Sequence, residues 1–265
     1  MKVNWHFIAN FIKHYWSATR IDVLHSPFVF ELYNSCIARK KEPLALTPIE
    51  LLRAAASRNN TIITQQDFGA LGHLQKQREK TISFFAKTHA KPKRLAHIIY
   101  RMVSKYQYQN CMELGTSLGF TSMCIAKGLS NQTKLMTIEG APQIAAVAQQ
   151  HFKASNTQDL IDLHVGNFDT LLPQLINKMP TVDFAFIDGN HTYQATIDYF
   201  NQFITKVNNE SVLVFDDIYW SKGMTKAWEE IKKHPRVTVT VDLFFIGLVY
   251  FRTQQVEEHF KLRIM

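Results

Sequence analysis

Cysteine is scarce: Cys36, Cys111 and Cys124 are the three in 265 residues, an odd number with no CxxC spacing. That excludes a disulfide framework and a cysteine-based zinc site, and a reducing, cytoplasmic setting fits best. Long apolar runs are also missing. The longest, Leu243 to Phe251, is far below the roughly 20 residues a spanning helix needs. The opening MKVNWHFIANFIKHYW has neither the apolar core nor the small-residue cleavage site of a signal peptide. A transmembrane segment and a membrane partner are therefore not expected, and no internal period suggests a repeat array. Acid is scarce in one half only. Residues 1–106 carry 17 Lys/Arg against 6 Asp/Glu, whereas residues 107–265 carry 13 against 16. The overall +8 thus belongs to the N-terminal part, which serves either an anionic partner or a solvated face.

What is present is a foldable globular composition, 46% hydrophobic and 20% charged. The first 106 residues read mainly as helices. Trp5, Phe7, Ile8, Phe11, Ile12, Tyr15 and Trp16 recur at helical spacing, a second helix is expected over about 27–38, and Thr47-Pro48-Ile49-Glu50 reads as an N-cap, a Pro at the first helical position and a Glu at the third. Further helices are expected over 76–87 and 94–106. The plentiful aromatics here (Trp5, Phe7, Phe11, Tyr15, Trp16, Phe28, Phe30, Tyr33) are expected to form a helical core, a homodimer interface or a substrate lid.

After residue 107 short β-prone runs (110–114, 134–138, 161–165, 182–187, 211–215, 237–241, 247–251) alternate with longer helical ones. Five β-α units and a closing strand pair predict an α/β fold with a doubly wound, seven-stranded, mostly parallel sheet in the order 3-2-1-4-5-7-6. The expected division is an N-terminal helical extension over 1–92 and a catalytic domain over 93–265. Such sheets bind ligands at the carboxyl ends of their strands.

Three features fall at those ends. Glu113-Leu-Gly-Thr-Ser-Leu-Gly119 follows the first strand and opens a helix. Its GxxxG spacing is not the GxGxxG of dinucleotide enzymes, which argues against an NAD-dependent oxidoreductase. Glu139 ends the second strand, where an acid can accept hydrogen bonds from both ribose hydroxyls, so a nucleoside-containing cofactor is expected. Asp67-Phe-Gly-Ala-Leu-Gly72 imitates such a loop, but no strand with a terminal acid follows it, so it reads as a structural or lid loop. The third feature is a set of acids. Asp188 ends strand four and Asp216 and Asp217 end strand five. Neighbouring strands lie about 4.8 Å apart, so these carboxylates converge, and a hard cation such as Mg²⁺ or Ca²⁺ would relieve their repulsion. His191, three residues past Asp188, is suited to remove a proton near neutral pH.

Together ELGTSLG, Glu139, FIDGNHTY and VFDDIYW resemble class I S-adenosylmethionine-dependent O-methyltransferases, in particular the metal-dependent catechol and caffeoyl-CoA type and bacterial relatives with an IDGxH motif. The resemblance covers about 95–252. It implies that Glu113, Gly115, Ser117 and Gly119 wrap the methionine part of S-adenosylmethionine and that Glu139 binds its ribose. Asn167 and Phe168 would line the adenine. Asp188, Asp216 and Asp217 are implied as metal ligands, Asp188 also as a cofactor contact and a catalytic residue, His191 as the base and Trp220 as a border of the substrate. The catechol type usually has Asn at the position of Asp217. The implied reaction is O-methylation of a small hydroxylated molecule. Two alternatives are an RNA methyltransferase using the basic N-terminal region and a non-catalytic cofactor-fold binding protein. The first is opposed by the absence of a recognised RNA-binding motif and of the Asn/Asp-Pro-Pro-aromatic motif, the second by the Asp188–His191–Asp216–Asp217 set.

Overall fold

The computed structural model describes residues 4–68, 74–130 and 132–264. Its helices are α1 (Trp5–Ser17), α2 (Pro27–Leu32), α3 (Thr47–Ala56), α4 (Ile82–Thr88), α5 (Lys93–Tyr106), α6 (Phe120–Gly128), α7 (Pro142–Ala154), α8 (Phe168–Lys178), α9 (Tyr193–Phe203) and α10 (Lys222–Lys232). Its strands are β1 (Ile62–Phe68), β2 (Leu74–Thr81), β3 (Cys111–Leu114), β4 (Leu135–Glu139), β5 (Ile161–Val165), β6 (Phe184–Ile187), β7 (Val212–Asp216), β8 (Val239–Asp242), β9 (Ile246–Tyr250) and β10 (Glu258–Lys261). This is a Rossmann-like α/β chain. It forms two compact units, a middle one, Arg39–Lys178, and a terminal one, Met1–Ala38 with Met179–Met265. Residues 4–38 thus group with the terminal unit and the described part of 39–92 with the middle one.

In the middle unit, parallel β5-β4-β3 reproduces the expected order 3-2-1. All four residues of β3 are buried, so the sheet is wrapped and its strands read as apolar runs rather than alternating ones. Gly119 opens α6 in the left-handed region (φ +81°), and a Cβ there would collide with the Phe152 ring of α7. In the terminal unit, β6-β7-β9-β8 reproduces 4-5-7-6, with β6 and β7 parallel and β9 antiparallel to both its neighbours. Thr192 and Ser221 cap α9 and α10 by accepting from Ala195 and Met224 N–H.

Four local expectations change. Lys76–Thr81 is strand, not helix: β2 pairs antiparallel with β1, Ile62 opposite Thr81, and the helix begins only at α4. The segment is almost wholly polar, so it has no apolar face from which a period could be read. Thr47 is the first residue of α3 rather than its cap, and Leu46 stands before it. Glu50 pairs with Lys93 at 3.0 Å instead of closing a capping box. β10 adds a strand beyond the seven, parallel to β8, from a short polar stretch. Of the Asp67–Gly72 loop, residues 69–72 lie outside the described residues. All three cysteines are buried, and burial pushes the Cys124 thiol well above its ordinary range. Among the described residues no helix is long and apolar enough to cross a membrane.

Candidate functional site

The middle unit carries the glycine loop. Between β3 and α6 the chain turns through Gly115 (φ +96°), Ser117 (φ +49°) and Gly119. The left-handed region is costly for a residue with a Cβ, so Ser117 is held there by its surroundings. What holds it is Glu139, whose Oε2 accepts the Ser117 N–H at 2.7 Å while its Oε1 accepts the Ala141 N–H at 2.9 Å. Gly115 and Thr116 N–H both reach the Ile138 carbonyl, so the loop is stitched to the end of β4. Glu139 therefore organises the loop, a role its placement as a ribose acid did not reveal.

Glu113 is different again. It is fully buried, and its Oε2 accepts from Ser122 Oγ and from Thr137 Oγ1 (2.7 Å), with Thr116 Oγ1 2.6 Å from Thr137. This hydroxyl cluster fastens β3 to β4 and α6, and it shows in sequence only as scattered Ser and Thr. At the end of β5, Gly166 N–H donates to the Glu139 carbonyl at 2.9 Å. Asn167 Oδ1 accepts the Asp169 N–H at 2.8 Å, starting α8, in which Phe168 is the first residue. Of the seven cofactor residues expected here, Gly115, Ser117, Gly119, Glu139 and Asn167 thus lie on or beside three adjoining strand-to-helix turns, Phe168 follows on the first turn of α8, and Glu113 lies behind them in β3.

The terminal unit carries the acids. Asp188 follows β6, His191 stands before α9, and Asp216 is the last residue of β7. One ligand atom from each of these three lies within 4.8 Å of the others. His191 Nε2 is 3.3 Å from Asp188 Oδ1 and 3.9 Å from Asp217 Oδ2. Asp216 is buried, whereas Asp188, His191 and Asp217 are partly exposed. Asp217 reaches this end because the strand stops there. It turns into the left-handed region (φ +53°), with its N–H on the Phe245 carbonyl at 2.7 Å. The set brought together most tightly is therefore Asp188, His191 and Asp216, with Asp217 at its margin. The carboxylates of Asp188 and Asp216, with that of Asp217 at the margin, are hard oxygen donors that suit Mg²⁺ or Ca²⁺, and the His191 imidazole stands beside them.

Beside this cluster stands an aromatic wall, of which the sequence points to Trp220, Phe7 and Phe11 but not to Tyr219 and Phe244. Trp220, whose N–H donates to the Asp217 carbonyl, meets Phe7 of α1 edge-on at 6.2 Å. Phe244, with a φ of +70°, stacks on Tyr219 and meets Phe7 and Phe11. Behind it Tyr219 donates to Asp242 at 2.6 Å, and His14 lies 3.0 Å from the same carboxylate. Burial, followed by the Asp242 charge, pushes the Tyr219 hydroxyl far above its usual range, so it stays a donor.

The middle unit thus presents tight turns at its strand ends, and the terminal unit a cluster of acids at its own. In comparison with known proteins, residues 112–218 match the family model described as a methyltransferase domain. The catechol O-methyltransferase of Niastella koreensis is 32% identical over 85 residues, 32% of this chain and 38% of the relative. That of Sus scrofa is 32% identical over 93 residues, covering 34% and 50%. The chain thus spans about a third to a half of the length of these curated relatives. Among solved structures, the O-methyltransferase from Bacillus cereus in complex with S-adenosylhomocysteine superposes with a TM-score of 0.57 at 20% identity, over 84% of this chain and 97% of that one. TomG of Streptomyces achromogenes, an O-methyltransferase of tomaymycin synthesis in complex with S-adenosylmethionine, gives 0.60 at 18%, over 84% and 96%. The resemblance carried by the motifs is borne out for domain and fold.

Proposed function

We propose that the protein transfers a methyl group from S-adenosylmethionine to a hydroxyl oxygen of a small hydroxylated acceptor, in the cytoplasm, with Mg²⁺ or Ca²⁺ at the acid cluster. The observation that carries this reading is the meeting of Asp188, His191 and Asp216 within 4.8 Å, in a chain whose relatives are named catechol O-methyltransferases. Bound S-adenosylmethionine supplies a methyl on a sulfonium, so the carbon–sulfur bond breaks as the carbon–oxygen bond forms and the hydroxyl proton has to leave. Gly115, Ser117 and Gly119, stiffened by Glu139, receive the methionine end, with Glu113 holding the turn from behind. The Glu139 carboxylate also faces the ribose hydroxyls, and Asn167 and Phe168 border the adenine. Asp188 and Asp216 hold the cation, with Asp217 as the third carboxylate. The cation would orient two acceptor oxygens and acidify one. His191, which stands 3.3 Å from Asp188, takes the proton. Positioning supplies most of the acceleration. Trp220 lines the acceptor side, and residues 1–92 serve as an accessory region.

Calorimetry tests the reading directly. S-adenosylmethionine and Mg²⁺ are each expected to bind the intact chain, and Asp188→Ala to lose the metal heat. A chain that binds neither would refute the proposal.

A further inference from the structure

Helix α1 is inverted for a helix whose task is to cover a core. Its inward stripe is His6, Phe7, Asn10 and His14, and most of it is polar. His6 Nε2 meets Thr225 Oγ1 at 3.0 Å, Asn10 donates to the His6 carbonyl at 2.8 Å, and His14 pairs with Asp242. Its outward stripe is Trp5, Ile8, Ile12, Tyr15 and Trp16, a continuous apolar face at helical spacing. Trp5 is 74%, Ile12 53% and Trp16 79% exposed. A surface helix ordinarily turns its apolar stripe inward and its polar one outward. Single exposed apolar residues need no explanation, but a contiguous stripe with two tryptophans marks a contact surface.

The charge carried by the helix itself is of one sign. No residue before Asp22 is acidic, whereas Lys2, Lys13 and Arg20 are basic, and Arg20 is the one that pairs with Asp22. The far end of the sequence adds to this. Thr19 N–H donates to the Lys261 carbonyl at 2.8 Å, and the Arg263 guanidinium lies over the Tyr15 ring at 3.9 Å. Lys13 and Arg263 thus bring basic groups to the apolar stripe from two distant parts of the sequence.

We propose that α1 is a docking surface for an anionic lipid bilayer. The helix lies in the interface plane, with Trp5, Ile8, Ile12 and Trp16 at the boundary of head groups and acyl chains and the flanking basic groups on lipid phosphates and carboxylates. A second copy of the chain is a poorer occupant. A twofold contact sets the patch against itself, so its basic rim faces a rim of the same sign. The lack of a spanning helix does not bear on this, because lying on a membrane and crossing it are different structures. The inference stands apart from methyl transfer.

The test is co-sedimentation of the full chain with vesicles of phosphatidylcholine alone and of phosphatidylcholine mixed with phosphatidylserine. The protein is expected to sediment with the mixed vesicles and far less with the neutral ones. The Trp5→Ser/Ile12→Ser/Trp16→Ser variant, changed only at exposed positions, is expected to keep its thermal midpoint and to lose binding by about tenfold or more. Lys13→Glu is expected to weaken binding about fivefold, with the effect fading in high salt. Equal sedimentation of parent and triple variant, or no binding of the parent to mixed vesicles, would overturn the proposal. So would sedimentation velocity showing a parent dimer that the triple variant makes monomeric, since the stripe then belongs to a second copy.

Discussion

The glycine turn of the middle unit and the acid cluster of the terminal unit both place carboxylates at the ends of parallel strands, yet use them in opposite ways. Glu113 and Glu139 spend their oxygens on the protein itself: two hydroxyls for the first, two backbone N–H groups for the second. Asp188 and Asp216 are instead set against each other and His191, in an arrangement that costs electrostatic energy unless a cation or proton balances it. The difference teaches that an acid at a strand end is not by itself a ligand site. Where donors converge on it, it builds the loop. Where acids converge, their mutual repulsion favours a cation or a proton among them.

Four substitutions test that contrast, in order of expected effect. Asp188→Ala is expected to lower turnover by at least about 100-fold and to abolish Mg²⁺ binding, with thermal stability little changed. Metal titration beside a melting curve reads both. Glu113→Ala is expected to do the reverse. It strands the Ser122 and Thr137 hydroxyls in the core and costs about 2–4 kcal/mol of stability, read by denaturant titration. If Glu113→Ala instead weakened the cofactor while leaving stability intact, the division between the two sites would be lost. His191→Ala is expected to reduce the maximal rate about 100-fold with the cofactor dissociation constant unchanged. Equal losses in rate and in metal affinity would make His191 a ligand rather than a base. Glu139→Gln is expected to be the mildest. It keeps the shape and one acceptor oxygen, sets an NH2 donor against the other backbone N–H, and raises the cofactor dissociation constant about tenfold in calorimetry.

Much of this was legible in the sequence because β-α alternation and strand-end residues are local signals. The seven expected strands recur within two residues at each end, and the order within each unit follows. The acid cluster was legible because Asp188, Asp216 and Asp217 each close an apolar run. Other parts could not be read. The β1–β2 pair is almost wholly polar at Lys76–Thr81, so neither a period of two nor one of 3.6 marks it. The hydroxyl cage of Glu113 joins Ser122 and Thr137 across three elements. The aromatic wall needs Phe7 to meet Phe244 and Trp220, more than 200 positions away, a pairing no spacing rule encodes. The inversion of α1 was hidden for a related reason. Its period predicted a helix correctly, but only the inward bonds of His6 and His14 show which face is outside.

The measurement that tests the central claim most directly is transfer of a labelled methyl group from S-adenosylmethionine to a panel of catechols and other small hydroxylated acceptors, with Mg²⁺ and with a chelator. The account predicts label on a hydroxyl oxygen of at least one acceptor in the presence of Mg²⁺, lost on chelation and sharply reduced in Asp188→Ala. Transfer that proceeds unchanged in chelator and in Asp188→Ala, or label found on RNA and on none of the small acceptors, would contradict it.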